Sequence, residues 1–427
     1  MRCFLIVTEG DSALALALAG KSASPDPTVI GAMPLRGKLL NVRAQSRKML
    51  LANKEIQDLV KALGLQYGKE YRTEEDFRSL RYGGGVLLMA DQDFDGFHIG
   101  GLILNLFEHL WPSLMQRPGF FRRMQTPIVK VSRGPTVRQF FRLSEFEAWY
   151  EEHQRDTPKW TVKYYKGLGT STAKEGKEYF ADLGRHMITF VGSDQTHAAL
   201  EKAFHKDKAD ERKAWLREMS VDKLQQEVEV VERQTIPEFV DDQLVQFSLY
   251  DNYRSIPSVI HGLKPSQLKI VWLMLQKNMN KDVKVAQLAP QVAQHMGYHH
   301  GEENLNHAVI NMAQDYVGAP NINLLVPSGQ FGTRLAGGKD AASPRYIFTR
   351  LHPLARLLFR QEDDPILPQQ TEEGQTIEPK MVAPIVPFGL ITGGSGIGTG
   401  WSSTVPPHHP QQVLDNTRRL LRGEPLA

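Results

Sequence analysis

Two short, wholly apolar segments, each followed closely by an acidic residue, most strongly constrain the fold of this sequence. Residues 3–7 read CFLIV and lead to Glu9, and residues 86–90 read VLLMA and lead to Asp91. Short continuous apolar segments that end in turns are typical of buried central strands in a parallel sheet. Helical patterns lie between and after them, at residues 11–18, 54–63 and 99–115. This alternation predicts an α/β layer in the N-terminal part of the chain.

A second unit is predicted to begin near Arg254. Three helical patterns follow one another there, the first beginning at Pro265, the second carrying an apolar stripe from Val285 to Met296, and the third beginning at Glu302. Three short helices with tight links are typical of a helix-turn-helix or winged-helix unit, although a plain helical bundle gives the same pattern. Two other stretches are less regular: residues 195–250 favour helices and a connector, and residues 327–400 favour loops and short strands.

The composition excludes several classes of protein. The 427 residues are 41% hydrophobic and 23% charged, as in ordinary globular proteins. The formal net charge is only +3, so a nucleic-acid-binding surface has to be local. The single cysteine, Cys3, excludes a disulfide scaffold, and no apolar segment reaches the roughly 18 residues of a membrane span. The first residues enter a strand too soon for a signal peptide, and we expect the chain to be cut from a longer protein.

Acidic residues are predicted to meet at one edge of the sheet. Glu9 ends the first strand, and Asp91, Asp93 and Asp95 follow the second at a spacing that directs all three to one side of an extended backbone. Ligands of open α/β sheets bind beyond the carboxyl ends of the strands. Converging carboxylates repel one another unless cations neutralise them, and hard oxygen ligands select Mg²⁺, Mn²⁺ or Ca²⁺. One or two such ions are what phosphoryl transfer needs.

Two other interpretations compete with a catalytic metal site. Residues 91–96 match the start of an EF-hand loop, but the twelfth position is Leu102 instead of glutamate, and a predicted strand precedes the segment. Solvated acids in a loop are the second alternative. Gly20-Lys21-Ser22 resembles the end of a P-loop, but Ala15 stands where the first glycine belongs, so no Walker ATP site is predicted.

A second candidate site lies in the basic segment of residues 343–360, which contains four arginines and no acid. Such a segment suits contacts with phosphate groups. Tyr346 directly follows Arg345, and this pair favours attack on a phosphodiester with the arginine stabilising the charged transition state. A tyrosine that only packs against its neighbours is the alternative. Lys163, Lys166 and the turn at residues 167–170 are a weaker candidate for binding phosphate, through side-chain charge and backbone N–H groups.

Several motifs together resemble the eukaryotic and viral type IIA DNA topoisomerases. In chain order they are EGDSA (9–13), PLRGKLLNV (34–42), DQDFDGFHI (91–99), YYKGLGTST (164–172), RSIPSVIHGLKP (254–265), YHHGE (298–302), GQFGTR (329–334), ASPRYIFTR (342–350) and GIGTGW (396–401). The resemblance covers nearly the whole chain. Bacterial relatives place the acidic domain and the tyrosine on separate subunits, so the single chain is similar to the eukaryotic arrangement.

The resemblance implies a multidomain fold of α/β and α+β class, in which a TOPRIM domain with a Rossmann-like parallel sheet precedes a winged-helix domain and the start of a tower domain. The expected boundaries are 1–185 for the TOPRIM domain with its core at 1–122, 186–253 for a helical connector, 254–375 for the winged-helix DNA cleavage domain and 376–427 for the start of the tower. The family's ATPase domain and C-gate are expected to lie outside this chain.

The resemblance also implies roles for individual residues. Tyr346 would be the nucleophile that becomes joined to the DNA 5′ end, and Arg345 the transition-state stabiliser. Ile397 would wedge between base pairs. The implied Mg²⁺ ligands, with a supporting acid last, are Glu9, Asp91, Asp93 and Asp95. The other implied DNA contacts are Lys38, Asn41, Arg212, Lys213, Lys264, Tyr298 and Asn304.

The function implied is that of an ATP-dependent type II topoisomerase, an isomerase that acts as a homodimer on double-stranded DNA. ATP would be a cofactor only of the full-length protein, no membrane association is expected, and the implied location is the nucleus, or a cytoplasmic viral factory or virion for a viral protein. Leu268 departs from the family's usual basic residue, so one phosphate contact is expected to be missing. Two alternatives remain: a metal-dependent TOPRIM nuclease or primase-like protein, and a winged-helix DNA-binding regulator.

Overall fold

The structure, a computed structural model, describes residues 3–153, 159–165, 167–219, 232–372 and 375–427. Lys166 and residues 220–231 of the predicted connector therefore lie outside the described residues. The chain divides into two compact units, Met1–Tyr250 and Asp251–Ala427. Within the described ranges, no helix is both long enough and apolar enough to cross a membrane.

The first unit is built on a six-stranded sheet. The strands described in the unit, including three that form a separate small sheet, are β1 (Phe4–Glu9), β2 (Ile30–Leu35), β3 (Val86–Met89), β4 (Phe121–Met124), β5 (Val129–Arg133), β6 (Thr136–Phe140), β7 (Thr161–Tyr164), β8 (Met187–Val191) and β9 (Arg233–Thr235). The large sheet has the order β2-β1-β3-β4-β8-β9, and β5 pairs with β6 and β7 in a separate small sheet. The first four strands of the large sheet are parallel, as the two apolar segments predicted.

The helices described in this part of the chain are α1 (Gly10–Lys21), α2 (Arg47–Ala52), α3 (Lys54–Leu63), α4 (Glu74–Arg78), α5 (Phe94–Leu110), α6 (Leu143–Glu152), α7 (Ala173–Ala181), α8 (Thr196–Phe204), α9 (Ala209–Glu218), α10 (Ile236–Phe239) and α11 (Val245–Ser255). The helix predicted at residues 54–63 is confirmed, with Asn53 capping its first turn and Gly64 ending it in the left-handed conformation.

The structure corrects the expected backbone of the second acidic motif. The prediction of extended backbone through residues 91–95, with a helix beginning near residue 99, is wrong. β3 ends at Met89 and α5 begins at Phe94, because the Asp93 carboxylate accepts a hydrogen bond from the Gly96 N–H at 2.7 Å and caps the helix. Asp95 therefore lies in the first helical turn and not on a strand extension.

The predicted connector also contributes more to the sheet than its sequence indicates. β8 pairs antiparallel with β4, and β9 pairs parallel with β8, so two strands of the large sheet come from residues 186–253. β9 is only the tripeptide Arg-Gln-Thr and has no apolar alternation. Its strand conformation is set by pairing with β8, which a pattern search along the chain does not detect.

The second unit contains the three predicted helices, confirmed as α12 (Pro265–Gln276), α13 (Val285–Met296) and α14 (Glu302–Ala313). Further helices are α15 (Pro353–Leu358), α16 (Phe388–Thr392) and α17 (Pro410–Leu421). The strands are β10 (Val283–Lys284), β11 (Leu325–Ser328), β12 (Phe348–Leu351), β13 (Thr371–Glu372), β14 (Gln375–Thr376), β15 (Gly394–Ile397) and β16 (Ser402–Val405). An antiparallel sheet of order β10-β12-β11 accompanies the three helices, so this unit is not a plain helical bundle.

Candidate active site

The two strand-end acids of the first unit meet as predicted. β1 and β3 are neighbouring parallel strands, with Thr8 opposite Met89, so Glu9 and Asp91 emerge at the same edge of the sheet. The Asp91 N–H donates to Glu9 Oε2 at 3.2 Å. The sequence places these carboxylates together because parallel strands end at a common edge, which is where open α/β sheets bind ligands.

The other two acids reach this edge from helix α5. Asp93 caps the helix, so one of its carboxylate oxygens already accepts a hydrogen bond from the Gly96 N–H. Asp95 Oδ1 accepts a hydrogen bond from Lys38 Nζ at 2.5 Å, and that ammonium group also lies 4.9 Å from the centre of the Phe247 ring. Lys38, expected to contact DNA, is thus held against an acid of its own unit in the structure.

Burial is the largest electrostatic effect on Glu9 and Asp91. Burial is the main reason that the pKa of Glu9 is raised to about 7. The charges of Asp91, Asp93 and Asp95 act in the same direction, and the hydrogen bond from the Asp91 N–H opposes them. Burial also raises the pKa of Asp91, opposed by the hydrogen bond from the Leu168 N–H. Among the described residues, Lys38 is the one cation that forms an ion pair with these four acids, so acidic groups outnumber basic ones at this edge.

A divalent cation is the group that this deficit fits. Among the described residues, no three His, Cys, Asp or Glu side chains are already arranged as a metal site. The donor chemistry nevertheless suits a hard cation, since Glu9 and Asp91 are partly withdrawn from water and neither forms an ion pair with a residue that the structure describes. Glu9, Asp91 and Asp93 would hold the ion, with Asp95 supporting them from the first turn of α5.

The turn at residues 167–170, a predicted phosphate contact, has one of its backbone N–H groups engaged within the first unit. The Leu168 N–H points at Asp91 and donates to Oδ1 at 2.7 Å, so this group is already used inside the unit. Sequence reasoning singled out the turn but missed its partner. Gly167 is the sequence feature that could have indicated this close contact, because a side chain at that position would collide with the Asp91 carboxylate.

Tyr346 lies in the second unit, in a turn that precedes β12. Its N–H donates to the Ser343 carbonyl at 2.9 Å, and the next residue, Ile347, is buried in the core of this unit. The tyrosine side chain itself is 71% exposed. The packing alternative is therefore wrong for Tyr346, whose ring faces solvent while its neighbour anchors the chain.

The arginines of residues 343–360 are not equivalent. Arg350 pairs with Asp282 at 2.7 Å, and two others pair with acids that follow the segment in sequence: Arg356 with Asp364, and Arg360 with Glu362. Arg345 is exposed and forms no ion pair with any residue that the structure describes. Within this segment, the arginine beside the tyrosine is thus the one whose charge no described acid neutralises.

Two family models match adjacent parts of the chain. The C-terminal associated domain of TOPRIM matches residues 124–252, and the DNA gyrase/topoisomerase IV model matches residues 254–427. DNA topoisomerase 2 of Bombyx mori is 50% identical over 99% of this chain, and that of Arabidopsis thaliana is 49% identical over 100%. A solved structure of the Plasmodium falciparum topoisomerase II DNA-binding, cleavage and re-ligation domain matches 100% of the chain with a TM-score of 0.84 and 43% identity, and the match covers 57% of that chain.

The chain belongs to the type IIA DNA topoisomerases. It spans 28% of the Bombyx mori relative and 29% of the Arabidopsis thaliana relative. Membership supports the predicted fold, in which a TOPRIM sheet precedes a further unit with helices and small sheets. It also implies a requirement for a divalent metal, in agreement with the excess negative charge at the Glu9 edge.

Several expected DNA contacts of this chain are engaged within their own unit. Asn41 Nδ2 donates to the Phe204 carbonyl at 2.8 Å, and one Arg212 nitrogen donates to the carbonyls of Lys202 and His205. Lys213 pairs with Asp210 at 2.9 Å. The sequence could not reveal these partners, and the role of these side chains in DNA binding stays a prediction.

In the second unit, the expected contacts are more varied. Asn304 is exposed, and its Nδ2 donates to the His300 carbonyl at 2.7 Å. Burial raises the pKa of the half-buried Tyr298, which therefore keeps its hydroxyl proton. Lys264 forms no ion pair with a described residue. Leu268 lies in the core of this unit, so its departure from the family's basic residue places an apolar side chain among apolar neighbours.

Ile397 stands at the end of β15 in a glycine-rich hairpin with β16. Gly396 and Gly398 face residues 252–256 so closely that a Cβ on either would collide with that segment. Strand alternation puts Ile397 on the opposite side, where it is 83% exposed. The isoleucine therefore does not anchor the hairpin in the core.

Proposed function

We propose that this chain is the DNA cleavage and religation core of an ATP-dependent type II DNA topoisomerase. The observation that carries the proposal is the exposed Tyr346 beside an unneutralised Arg345, in a chain that shares 50% identity with a DNA topoisomerase 2. The Tyr346 hydroxyl attacks a DNA phosphodiester and loses its proton, a 5′-phosphotyrosine bond forms, and the 3′-hydroxyl leaves. Return of that hydroxyl reverses the step and reseals the strand.

The surrounding residues have separate parts in this reaction. Arg345 offsets the negative charge that develops on the phosphate oxygens. Glu9, Asp91 and Asp93 would hold a divalent cation, proposed to be Mg²⁺, which would supply charge neutralisation at a DNA phosphate. Asp95 is a supporting acid held by Lys38. Because no tyrosyl bond is hydrolysed in the cycle, cleavage stays reversible and needs no external energy.

The assembly proposed around this core follows from the same reaction. Cleavage of both strands takes one tyrosine per strand, so the active form is a homodimer on double-stranded DNA. A second duplex passes through the break, which relaxes or decatenates DNA, and ATP acts on a domain of the full-length protein. The metazoan and plant relatives favour the nucleus over a viral factory.

Covalent trapping tests the proposal. The chain is incubated with radiolabelled duplex DNA and Mg²⁺, denatured with detergent and resolved by electrophoresis. We expect labelled DNA joined to the wild-type chain, no adduct without metal and none for Tyr346→Phe. Tyr150→Phe, which alters another exposed tyrosine, is the matched control and should form the adduct normally. An undiminished adduct in Tyr346→Phe would overturn the assignment of the nucleophile.

A further inference from the structure

The turn at residues 167–170 is held firmly although it contains two glycines. The Leu168 side chain is buried among the core residues that include Ile6, Met89 and Tyr179. The Thr170 N–H and hydroxyl both donate to the Gly167 carbonyl, at 3.0 and 2.6 Å. These contacts fix the direction of the Leu168 N–H, which would otherwise vary with the turn.

The segments on either side of the turn are fixed as well. Before it, the Tyr165 N–H donates to the Ile128 carbonyl at 2.8 Å, and its hydroxyl donates to Glu175. After it, Thr172 and Glu175 form a capping box at the start of α7. Glu175 also accepts from Lys163 Nζ at 2.9 Å, so a single carboxylate ties both flanks of the turn together.

The functional group that the fixed turn meets is the Asp91 carboxylate. Oδ1 accepts the Leu168 N–H at 2.7 Å. A Cβ placed on Gly167 would lie 2.5 Å from Oδ2 and 2.8 Å from Oδ1, well inside contact distance. Gly167 has a φ of −167°, which any residue adopts, so its backbone does not demand glycine. Glycine is needed at position 167 because any larger residue would collide with the Asp91 carboxylate.

We propose that Gly167, Leu168 and Thr170 form a positioning element for Asp91, whose Oδ1 is held by the Leu168 N–H so that Oδ2 is presented to the divalent cation. This inference rests on the proposed function for the role of the cation. It assigns the turn to the metal ligand and not to a DNA phosphate. Groups that orient a metal-binding carboxylate raise metal affinity, and their loss typically weakens it by about 10- to 100-fold.

Metal binding without DNA tests the positioning element directly. Mn²⁺ is titrated into the full chain and the free ion is measured by electron paramagnetic resonance. We expect Gly167→Ala to weaken Mn²⁺ binding by about 10- to 100-fold. Gly169→Ala is the matched control, since a Cβ there meets nothing within 4 Å, and it should bind Mn²⁺ as the wild type does. Equal binding by wild type and Gly167→Ala would overturn the proposal, as would equal weakening by both glycine variants.

A second pair of variants covers the case in which Gly167→Ala folds poorly. Thr170→Val removes the hydroxyl that donates to the Gly167 carbonyl, whereas Thr170→Ser keeps it. We expect Thr170→Val to weaken Mn²⁺ binding by a few-fold, whereas Thr170→Ser should bind Mn²⁺ as the wild type does. In the cleavage assay, both Gly167→Ala and Thr170→Val should need more metal for half-maximal adduct but reach the wild-type maximum.

These outcomes separate this inference from the proposed function. A wild-type chain that binds Mn²⁺ but never forms a tyrosyl adduct would overturn the proposed function and leave the metal-positioning result standing. A wild-type chain that forms the adduct, with Mn²⁺ binding indifferent to Gly167→Ala and Thr170→Val, would overturn the positioning role alone. A lower maximal adduct at saturating metal would also contradict it, because positioning a ligand acts through metal affinity.

Discussion

The acidic edge of the first unit and the tyrosine turn of the second achieve reactivity by opposite means. Glu9 and Asp91 are drawn out of water at the end of a buried sheet, where burial raises the pKa of both and neighbouring acids contribute to the raised pKa of Glu9. Tyr346 is 71% exposed, and only its neighbour Ile347 is anchored in the core. The acids thus carry a folding cost that a cation can relieve, whereas the tyrosine carries none. Substitutions in the two regions should therefore differ in their effects on stability.

The largest expected effect is the loss of cleavage in Asp91→Ala. The change removes a metal ligand and leaves the Leu168 N–H without its acceptor. Tyrosyl adduct should fall below detection at every Mg²⁺ concentration, while binding of duplex DNA, followed by fluorescence anisotropy, should hold or strengthen because a negative charge has been lost. Asp11→Ala, at an exposed acid of helix α1, should leave both measurements unchanged. Cleavage by Asp91→Ala at the wild-type rate would remove this acid from the metal site.

The next largest expected effect concerns Arg345, which is exposed beside Tyr346 in the second unit. Arg345→Ala leaves the nucleophile in place but removes the charge that offsets the developing oxyanion, so cleavage should slow by about 10²- to 10³-fold. Its Tm should stay within about 1 °C of the wild-type value, since exposed charges contribute little to stability. Single-turnover rates and thermal melts measure the two quantities. Arg360→Ala, at an arginine that pairs with Glu362, is the control and should cleave normally.

A smaller effect is expected from Ile397→Ala. An apolar side chain inserted between base pairs costs a few kcal/mol in unstacking and permits a bend, so its removal should reduce bending and lower cleavage several-fold. Energy transfer between dyes at the duplex ends reports the bend. Ile366→Ala is the control variant, because the two isoleucines have nearly the same exposure: Ile366 is 82% exposed and Ile397 is 83% exposed. If Ile397→Ala melted several degrees lower yet bent DNA normally, a structural role for Ile397 would be the better account.

The smallest expected effect is a gain in stability in Glu9→Gln, and it is pH-dependent. The pKa of Glu9 is about 7 in the folded chain and near 4.5 when unfolded. The unfolded chain therefore releases this proton first as pH rises, and the folded wild type loses stability between about pH 4.5 and 7. Glutamine cannot ionise, so without metal the variant should be more stable by about 1 kcal/mol at pH 8, allowing for partial screening.

Thermal melts in chelator measure this gain. At pH 4, where both states of the wild type are mainly protonated at Glu9, the two proteins should melt together. At pH 8, Glu9→Gln should melt about 2–4 °C higher. Added Mg²⁺ should raise the Tm of the wild type more than that of the variant, since the cation relieves the repulsion that glutamine has already removed. A lower Tm for the variant at pH 8 would contradict the view that the acidic edge is destabilising.

The sequence predicts best what local pattern determines. Apolar segments identify β1 and β3, and a stripe of apolar residues identifies α13 to its last residue. The meeting of Glu9 and Asp91 follows from parallel topology alone. Patterns fail where a distant partner decides, as in β9, which has no strand signal and depends on pairing with β8. They fail again at Asp93, because capping and metal binding favour the same residue type.

Site residues show the same division. Ile397 is identifiable as unusual from its glycine neighbours, yet only the structure shows that the glycines pack and the isoleucine does not. Lys38, Asn41 and Arg212 are expected to contact DNA, and their bonds within the unit come from residues far away in sequence or from backbone carbonyls. A basic or polar side chain on its own does not indicate whether its partner is a phosphate or a carbonyl oxygen.

Two strands of the six-stranded sheet, β8 and β9, lie far along the chain from the other four, and this order has a consequence during protein synthesis. β4 ends at Met124, but its outer edge is covered only when β8, at residues 187–191, has been made, and β9 completes the sheet at Thr235. A nascent chain therefore exposes the unpaired backbone of β4 on the ribosome while the intervening residues are translated. Unpaired strand edges pair readily with other chains. Ribosome-bound chaperones would be needed most during this interval, and a truncated fragment ending at residue 185 would keep that edge open for its whole lifetime.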